Sequence, residues 1–565
     1  LAANCLTCHG PDAKQRKAGL RLDDKDSALA KGAVVPGDPQ ASKMLQRILS
    51  SDPDEHMPPA STELTVSPHD LDILTRWIAG GAAFEPHWAM APVPESVPLP
   101  VLDDPERWSR SAIDAFVLEK LNAEGLKPSP PVDKETLLRR VSLDLTGLPP
   151  TIAEQDAFLA DASPAAYEHV VDRLLASPAF GERMAVDWMD AARYADTFGY
   201  QADVEMNVWP WRDWVIKAFN ANLPYDKFIT WQVAGDLLPN ATQEQRLATT
   251  FNRLHRQTNE GGSIPEEFRC SYVADRTETF GTAFMGLTLV CSKCHDHKFD
   301  PVSQKDFYSL ASFFANIDES GLYAHFVHPA PPPALLLYKD GQEAKHQELK
   351  GAIAETEKAS VLAEASARTR LDDWLKDSAK TIDDPKPLVY WPLDAIENGA
   401  TPDLAVPDNK ASVVLSPQAV PGVKGQALQF DGDNGIESGK PADFERWQPF
   451  TLSLWVKQDA IAPKACLLHH TKAETDAGSR GWELLLNEGK PQFALIHFWP
   501  GDAIRVIAKH PLPVGQWVHL AARYDGSSRA AGLEIFLDGE PVETEVVRDH
   551  LYKKIQYDSG GTAAL

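Results

Sequence analysis

The sequence predicts a multidomain protein: a small all-α N-terminal domain, a mostly α middle domain, a helical spacer and an all-β C-terminal sandwich. Three observations carry that expectation. At 565 residues the chain is too long for one hydrophobic core, and three or four domains are expected. Apolar residues recur at helical spacing through the first two thirds, with no clear period-two alternation. From Leu388 the texture changes to short β-like runs punctuated by Gly, Asp and Pro. Proline-rich breaks at 91–100 and 329–333 then divide the chain into 1–90, a linker 91–108, 109–328, a break and spacer 329–387, and 388–565.

The net charge of −26 opposes binding to phosphate backbones and anionic lipid, so nucleic acid is not an expected partner. No apolar run approaches the roughly 18 residues of a membrane span.

Cys5-Leu6-Thr7-Cys8-His9 reads C-x-x-C-H, the covalent attachment signature of haem c. Two thiols at this spacing form thioethers to the haem vinyl groups, and His9 then meets the iron. The spelling returns at Cys291-Ser292-Lys293-Cys294-His295, so two haems are expected. Four of the six cysteines sit in these pentapeptides, which leaves Cys270 and Cys466 unassigned and argues against a disulfide-framed scaffold. Thioether attachment occurs outside the cytoplasm, so a periplasmic or otherwise exported location is expected. The chain opens at Leu1, directly before the motif, and a signal peptide and the first turns of a helix are expected upstream.

After Gly10-Pro11-Asp12 the N-terminal region offers a short extended piece at Leu20–Asp23 and a helix at Ala41–Leu49. His56-Met57-Pro58-Pro59 follows, a stiff non-helical loop because proline fixes its own φ and biases its predecessor. Such a loop suits presentation of the Met57 sulfur to the far side of an iron, a pairing that raises the potential and serves electron transfer. Met44 and His56 are the competitors, and a core-filling Met57 is the alternative. Ser67-Pro68 caps a helix with Leu71, Leu74, Trp77 and Ile78, closed by Gly80-Gly81, whose apolar face is expected on the haem edge.

Cys-Leu-Thr-Cys-His-Gly-Pro, Gly-Leu-Arg-Leu-Asp, His-Met-Pro-Pro and the Trp77-Ile78 helix together resemble the Planctomycete cytochrome C domain over residues 1 to 85. The resemblance implies haem binding and a cytochrome c-like fold. Its redox partner protein is not implied by name.

In the middle region Asp187, Asp190, Arg193 and Asp196 fall at helical offsets, followed by Trp209, Trp211, Arg212, Asp213 and Trp214. Acids and arginines interleaved with Trp either line a sugar cleft with general acid/base groups or form ion pairs around a Trp-rich core. Asp190, Arg193 and Asp196 are the catalytic candidates of the first reading. A polar loop from His255 to Gly262 precedes a helix expected over Pro265–Leu289, which delivers the chain into Cys291. The stretches Ala192–Thr197, Trp211–Ile216, Ala234–Pro239 and Cys294–Pro301 resemble the uncharacterised domain that commonly follows the planctomycete cytochrome module, over 109 to 320.

At the second motif His295 is the proximal candidate. His297 is too close in sequence to reach the opposite face of one iron, since two residues span at most about 7 Å. His255 is the candidate sixth ligand, with Met285, His325 and His328 behind it. A vacant position would allow small-ligand or peroxide chemistry. A zinc-like set of Cys291, Cys294, His295 and His297 is the competing reading, though crowded for a tetrahedral shell.

Gln342–Leu375 reads as a long helix or helical hairpin, expected to lie on the middle domain. Ala427–Gly432, Phe450–Val456, Trp482–Leu486 and Trp517–Asp525 read as strands, and Leu533–Glu540 as a hairpin with an Asp-Gly turn. This region resembles a laminin-G/concanavalin-A-like lectin sandwich, which implies polysaccharide as a candidate partner and calcium as a candidate ligand. Asp431 and Asp433 are turn acids first and calcium ligands second. The Gly560–Leu565 end lacks the strand expected to close the sandwich, so the natural chain is expected to continue.

Three functions follow: an exported dihaem cytochrome with a lectin-like module, a haem-linked enzyme acting on carbohydrate through the middle domain, or a binding protein with a metal site at the second motif.

Overall fold

The computed structural model describes residues 1–85, 91–102, 104, 107–200, 203–323, 330–376, 386–438, 442–471, 480–555, 557 and the backbone of 563–564. His325 and His328 lie outside the described residues. The chain divides into two compact units, one of residues 1–195, 208–255 and 271–316, the other of 196–207, 256–270 and 317–565.

In the first unit, the N-terminal helix Ala2–His9 ends where the backbone turns extended at Gly10. A Cβ at Gly10 would lie 2.3 Å from the Leu6 carbonyl oxygen, so the sharp exit requires glycine. The following loop folds back on the helix end, its Lys17 and Leu22 amides donating to the carbonyls of Cys8 and His9, each at 2.8 Å. Helices Lys25–Ala30, Lys43–Leu49 and Pro68–Ala79 complete this region. Ser67 caps the last of them, accepting from the Asp70 amide at 3.1 Å with proline in the first turn. Leu6, Leu22, Ala28, Met44, Leu45, Leu74 and Ile78 form one core.

The rest of the first unit is helical. Helices Ala112–Ala123, Ile152–Ala160 and Gln304–Ala311 each start with a reciprocal capping box, Ser111/Asp114, Thr151/Glu154 and Ser303/Asp306. Lys134–Thr146 starts on Asp133 and stops at Gly147 in the left-handed region. Trp211 and Trp214 of helix Trp209–Asn220 are buried. Trp188 packs near Phe228, Phe251 and Phe284 and donates to Gln232 at 2.9 Å. Trp211 and Trp214 are therefore core, whereas Trp209 is exposed. The expected helix to Leu289 ends earlier: Pro265–Phe280 gives way to a wider π turn at Gly281–Met285, where Gly281 closes on the Leu289 side chain.

The second unit is built on antiparallel sheets. A nine-stranded sheet runs in the order Ala400–Thr401, Ala411–Val414, Gly435–Ser438, Ala563–Ala564, Lys464–His470, Gly481–Asn487, Lys490–Phe498, Asp502–Ala508, Thr544–His550. A four-stranded sheet runs Glu540–Pro541, Leu533–Leu537, Val518–Tyr524, Phe450–Val456. Leu452, Leu520, Ala522 and Ile535 from the second meet Leu484, Phe493, Leu495, Ile504 and Val506 from the first in one core. Gln418–Pro421 and Gln426–Gln429 form a separate hairpin. The Asp-Gly turn is present: Asp538 and Gly539 both have positive φ and join the paired Leu537 and Glu540. Glu488-Gly489 does the same between Asn487 and Lys490. The expected absence of a strand near the C-terminus is corrected: Ala563–Ala564 pairs with Glu437 and Ser438 on one side and His469 on the other.

Gln342–Leu375 is one unbroken helix of 34 residues, not a hairpin, and none of its residues is buried. Its Glu357 pairs with Arg529. Among the described residues no helix is long and apolar enough to cross a membrane.

Candidate functional site

The N-terminal region holds an open cavity of about 220 Å³. Cys5, Cys8 and His9 line it, brought there by the first helix. Met57, Pro58 and Pro59 line it too, on a loop tied to helix Lys43–Leu49 by the Met57 amide donating to the Arg47 carbonyl at 3.0 Å. Leu20, Leu22, Ala33, Met44, Ile48 and Leu64 make the remaining wall largely apolar.

His9 Nδ1 is buried without a hydrogen-bond partner. Burial pushes its pKa down, opposed by backbone interactions with Lys17 and Leu20, and so favours the neutral imidazole that ligates metal. Burial pushes the Cys5 thiol up. Two thiols, a neutral imidazole, a thioether and an apolar wall fit a haem c. Lys31, Lys43 and Arg47 also line the cavity. These cations match the two propionates of that group, a role that nothing in their local sequence announced.

Of the competing ligands, His56 is absent from the cavity wall, and its Nδ1 lies 3.0 Å from the Ser50 carbonyl. Met44 is in the wall and also part of the buried core. Helix Pro68–Ala79 differs from expectation: no described residue of it lines the cavity. Its Leu74 and Ile78 are spent on the core shared with helix Lys43–Leu49.

The second motif occupies a 3-10 turn, Val290–Lys293, with Cys291 and Cys294 both free and exposed. His295 Nδ1 lies 2.7 Å from the Asp296 carbonyl. A carbonyl accepts only, so Nδ1 carries the proton and Nε2 is left for a metal. These residues fit covalent attachment at a shallow site.

His255 is buried elsewhere in a polar cluster. Its ring stacks on Tyr272 with centroids 4.5 Å apart, and Nε2 lies 2.5 Å from Arg276 Nη2. Ligation would require it to leave both partners. Met285 is exposed. His297 closes its own loop, Nδ1 accepting from the Asp300 amide at 2.8 Å. Among the described residues no three His, Cys, Asp or Glu side chains gather as a metal-holding group, so the zinc-like set is not assembled.

The catalytic candidates are not gathered into an acid/base pair. Asp190 is exposed at the end of helix Pro178–Ala191. Arg193 has a positive φ of 62°, donates from Nε to Thr279 Oγ1 at 2.5 Å and lies 3.0 Å from Asp275. Burial lowers its pKa, countered by Asp275. Asp196 is exposed in the second unit, its carbonyl accepting from the Met206 amide at 2.7 Å. In the sandwich, Asp431 accepts from the Asp433 and Asn434 amides at 3.0 and 3.1 Å, the turn-closing role expected of it.

Comparison with sequence families matches three stretches of the chain. Residues 5–61 match Planctomycete cytochrome C, 112–319 match a protein of unknown function (DUF1549), and 430–559 match the concanavalin A-like lectin/glucanases superfamily. The chain thus carries a planctomycete cytochrome domain, the uncharacterised middle domain and a lectin-like sandwich, in that order. No curated protein matches. Among solved structures, the binding domain of Paraclostridial Mosquitocidal Protein 1 is 14% identical, with a TM-score of 0.24 over 31% of this chain and 43% of that one. Domain 4 of the extracellular arabinanase AbnA from Geobacillus stearothermophilus is 15% identical, with a TM-score of 0.19 over 28% and 72%. The carbohydrate-binding module CBM66 from Bacillus subtilis is 19% identical, with a TM-score of 0.18 over 27% and 85%. The chain spans less than half the length of the first of these.

Proposed function

We propose that the protein is an exported dihaem c-type cytochrome that passes electrons to a partner protein, with a lectin-like module that docks on polysaccharide. The observation that carries the reading is that Cys5, Cys8, His9 and Met57 line one cavity. Haem held there by Cys5, Cys8, His9 and Met57 would supply a one-electron couple, which a thioether beside an imidazole would poise high. The protein's own contribution is to hold His9 neutral, keep the Met57 loop on the Arg47 carbonyl, and surround the group with apolar wall and three cations.

Cys291, Cys294 and His295 would hold the second haem, with its sixth position open to His255 only if the Tyr272 and Arg276 contacts break. Calcium is not required by this reading. For the glycan half, the family match is joined by exposed Trp455, 5.3 Å from the His519 ring on the four-stranded sheet, an aromatic platform of the kind sugars stack on.

The test is a pyridine haemochrome count with intact mass on natively matured protein. Two covalent haems and a sulfur-to-iron charge-transfer band that disappears in Met57→Ala support the reading. A bare polypeptide mass overturns it.

A further inference from the structure

We propose that Asp12, in the loop leaving the first C-x-x-C-H, is a positioning residue for the second one: its carboxylate backs the imidazole of His295 and lowers the reduction potential of the iron held there. The inference rests on the dihaem reading.

Asp12 is 3% exposed. Its Oδ1 accepts from the Lys14 amide at 3.0 Å, which is all that the local turn needs. Its Oδ2 is buried with no hydrogen-bond partner. A buried carboxylate oxygen without a donor is costly, so the burial calls for a group facing it. That group is His295, whose Nδ1 lies 4.0 Å from Asp12 Oδ2. At this distance the carboxylate faces the N–H edge of the ring electrostatically without a hydrogen bond.

The same Nδ1 donates to the Asp296 carbonyl at 2.7 Å. One edge of the ring therefore faces two acceptors, a carbonyl and a carboxylate, and none of this leaves Nδ1 available to a metal. Nε2 is the ligating nitrogen. A carboxylate behind a ligating histidine raises its basicity and stabilises the more highly charged metal, which lowers the potential. The contact also ties the two motifs together. Asp12 is three residues beyond His9, a Cα separation of at most about 11 Å. The two ligating histidines are thus joined by a short path through one side chain.

The experiment uses the full, natively matured chain, with haems counted before potentials are read. Asp12→Asn keeps an acceptor oxygen and removes the charge. With two haems retained, it should raise the potential of one of them. In a Cys291→Ala/Cys294→Ala background, which keeps only the first haem, the same change should move nothing. Asp12→Glu should stay near the wild-type value, and Asp12→Ser serves as the second charge-removing variant if the amide fails to fold. Two haems with unmoved potentials, or a shift that persists in the single-haem background, would overturn the role of Asp12 and leave the dihaem reading standing. One haem in the wild type would overturn that reading and this inference with it.

Discussion

The two pentapeptides share a spelling and little else. Cys5 to His9 closes a helix anchored by Leu6 in a core, and its chemistry faces an apolar cavity with a sulfur in the wall. Cys291 to His295 lies across a 3-10 turn with both thiols exposed. The residue types dictate how a haem would be attached. The surroundings dictate what it would do, because burial, axial ligand and hydrogen bonds to the ligand set the potential. A deep site lined by an imidazole and a thioether would suit a stable one-electron couple, whereas a shallow one would suit exchange with a partner.

That contrast can be broken by mutation. The largest effect is expected from Cys5→Ala with Cys8→Ala. It removes one covalent haem and leaves the N-terminal cavity without its filling group, so the N-terminal region should lose its cooperative thermal transition. Cys291→Ala with Cys294→Ala should also remove one haem by mass, but change polypeptide stability by no more than about 0.5 kcal/mol, since both side chains are exposed. Equal losses from the two pairs would erase the distinction between deep and shallow sites. Next in size is Ile78→Ala. Ile78 is fully buried in the core beneath the cavity, and truncation should cost about 3 kcal/mol in a denaturant titration, within the range for large-to-small core changes. Met57→Ala is smaller still in stability, about 1 kcal/mol for a partly buried side chain, yet it should abolish the sulfur-to-iron band and lower the first potential with both thioethers intact.

The sequence carried the chemistry of attachment further than its setting. C-x-x-C-H and a Met before two prolines are local signals, and the cavity brings these residues together. Caps were equally legible: Ser67-Pro68 and the Asp538-Gly539 turn lie where the residue types demand. Strands with one wet face, such as Phe450–Val456 and Val518–Tyr524, announced themselves by alternation. Lys490–Phe498 did not, because it is buried on both faces, so Phe493, Ala494, Leu495 and Ile496 follow one another without alternation. Thr544–His550, at the sheet edge and mostly exposed, has the opposite problem. His255 shows the limit for site residues. A histidine opening a polar, glycine-rich loop looks available, but Tyr272 and Arg276 claim it from a helix about 20 residues on, and such packing leaves no local trace. Asp12 was read as part of a turn; its burial against His295 depends on a segment far away in sequence.

The smallest expected effect concerns the thiols before haem is attached, and it probes the same contrast without the cofactor. Cys5 is partly buried, and desolvation raises its pKa above the ordinary thiol value. The thiolate is the reacting form, so at any pH below that raised value the reactive fraction of Cys5 is reduced, by tenfold for each unit of the shift. Cys291 and Cys294 are open to solvent. In protein produced without haem, alkylation near neutral pH should therefore label Cys291 and Cys294 first and Cys5 last, with the gap closing as the pH rises through the Cys5 value. Peptide mass mapping over a time course reads the order directly. Early labelling of Cys5 would mean that the N-terminal cavity is not formed until haem fills it, and the deep site would then be a product of attachment rather than its precondition.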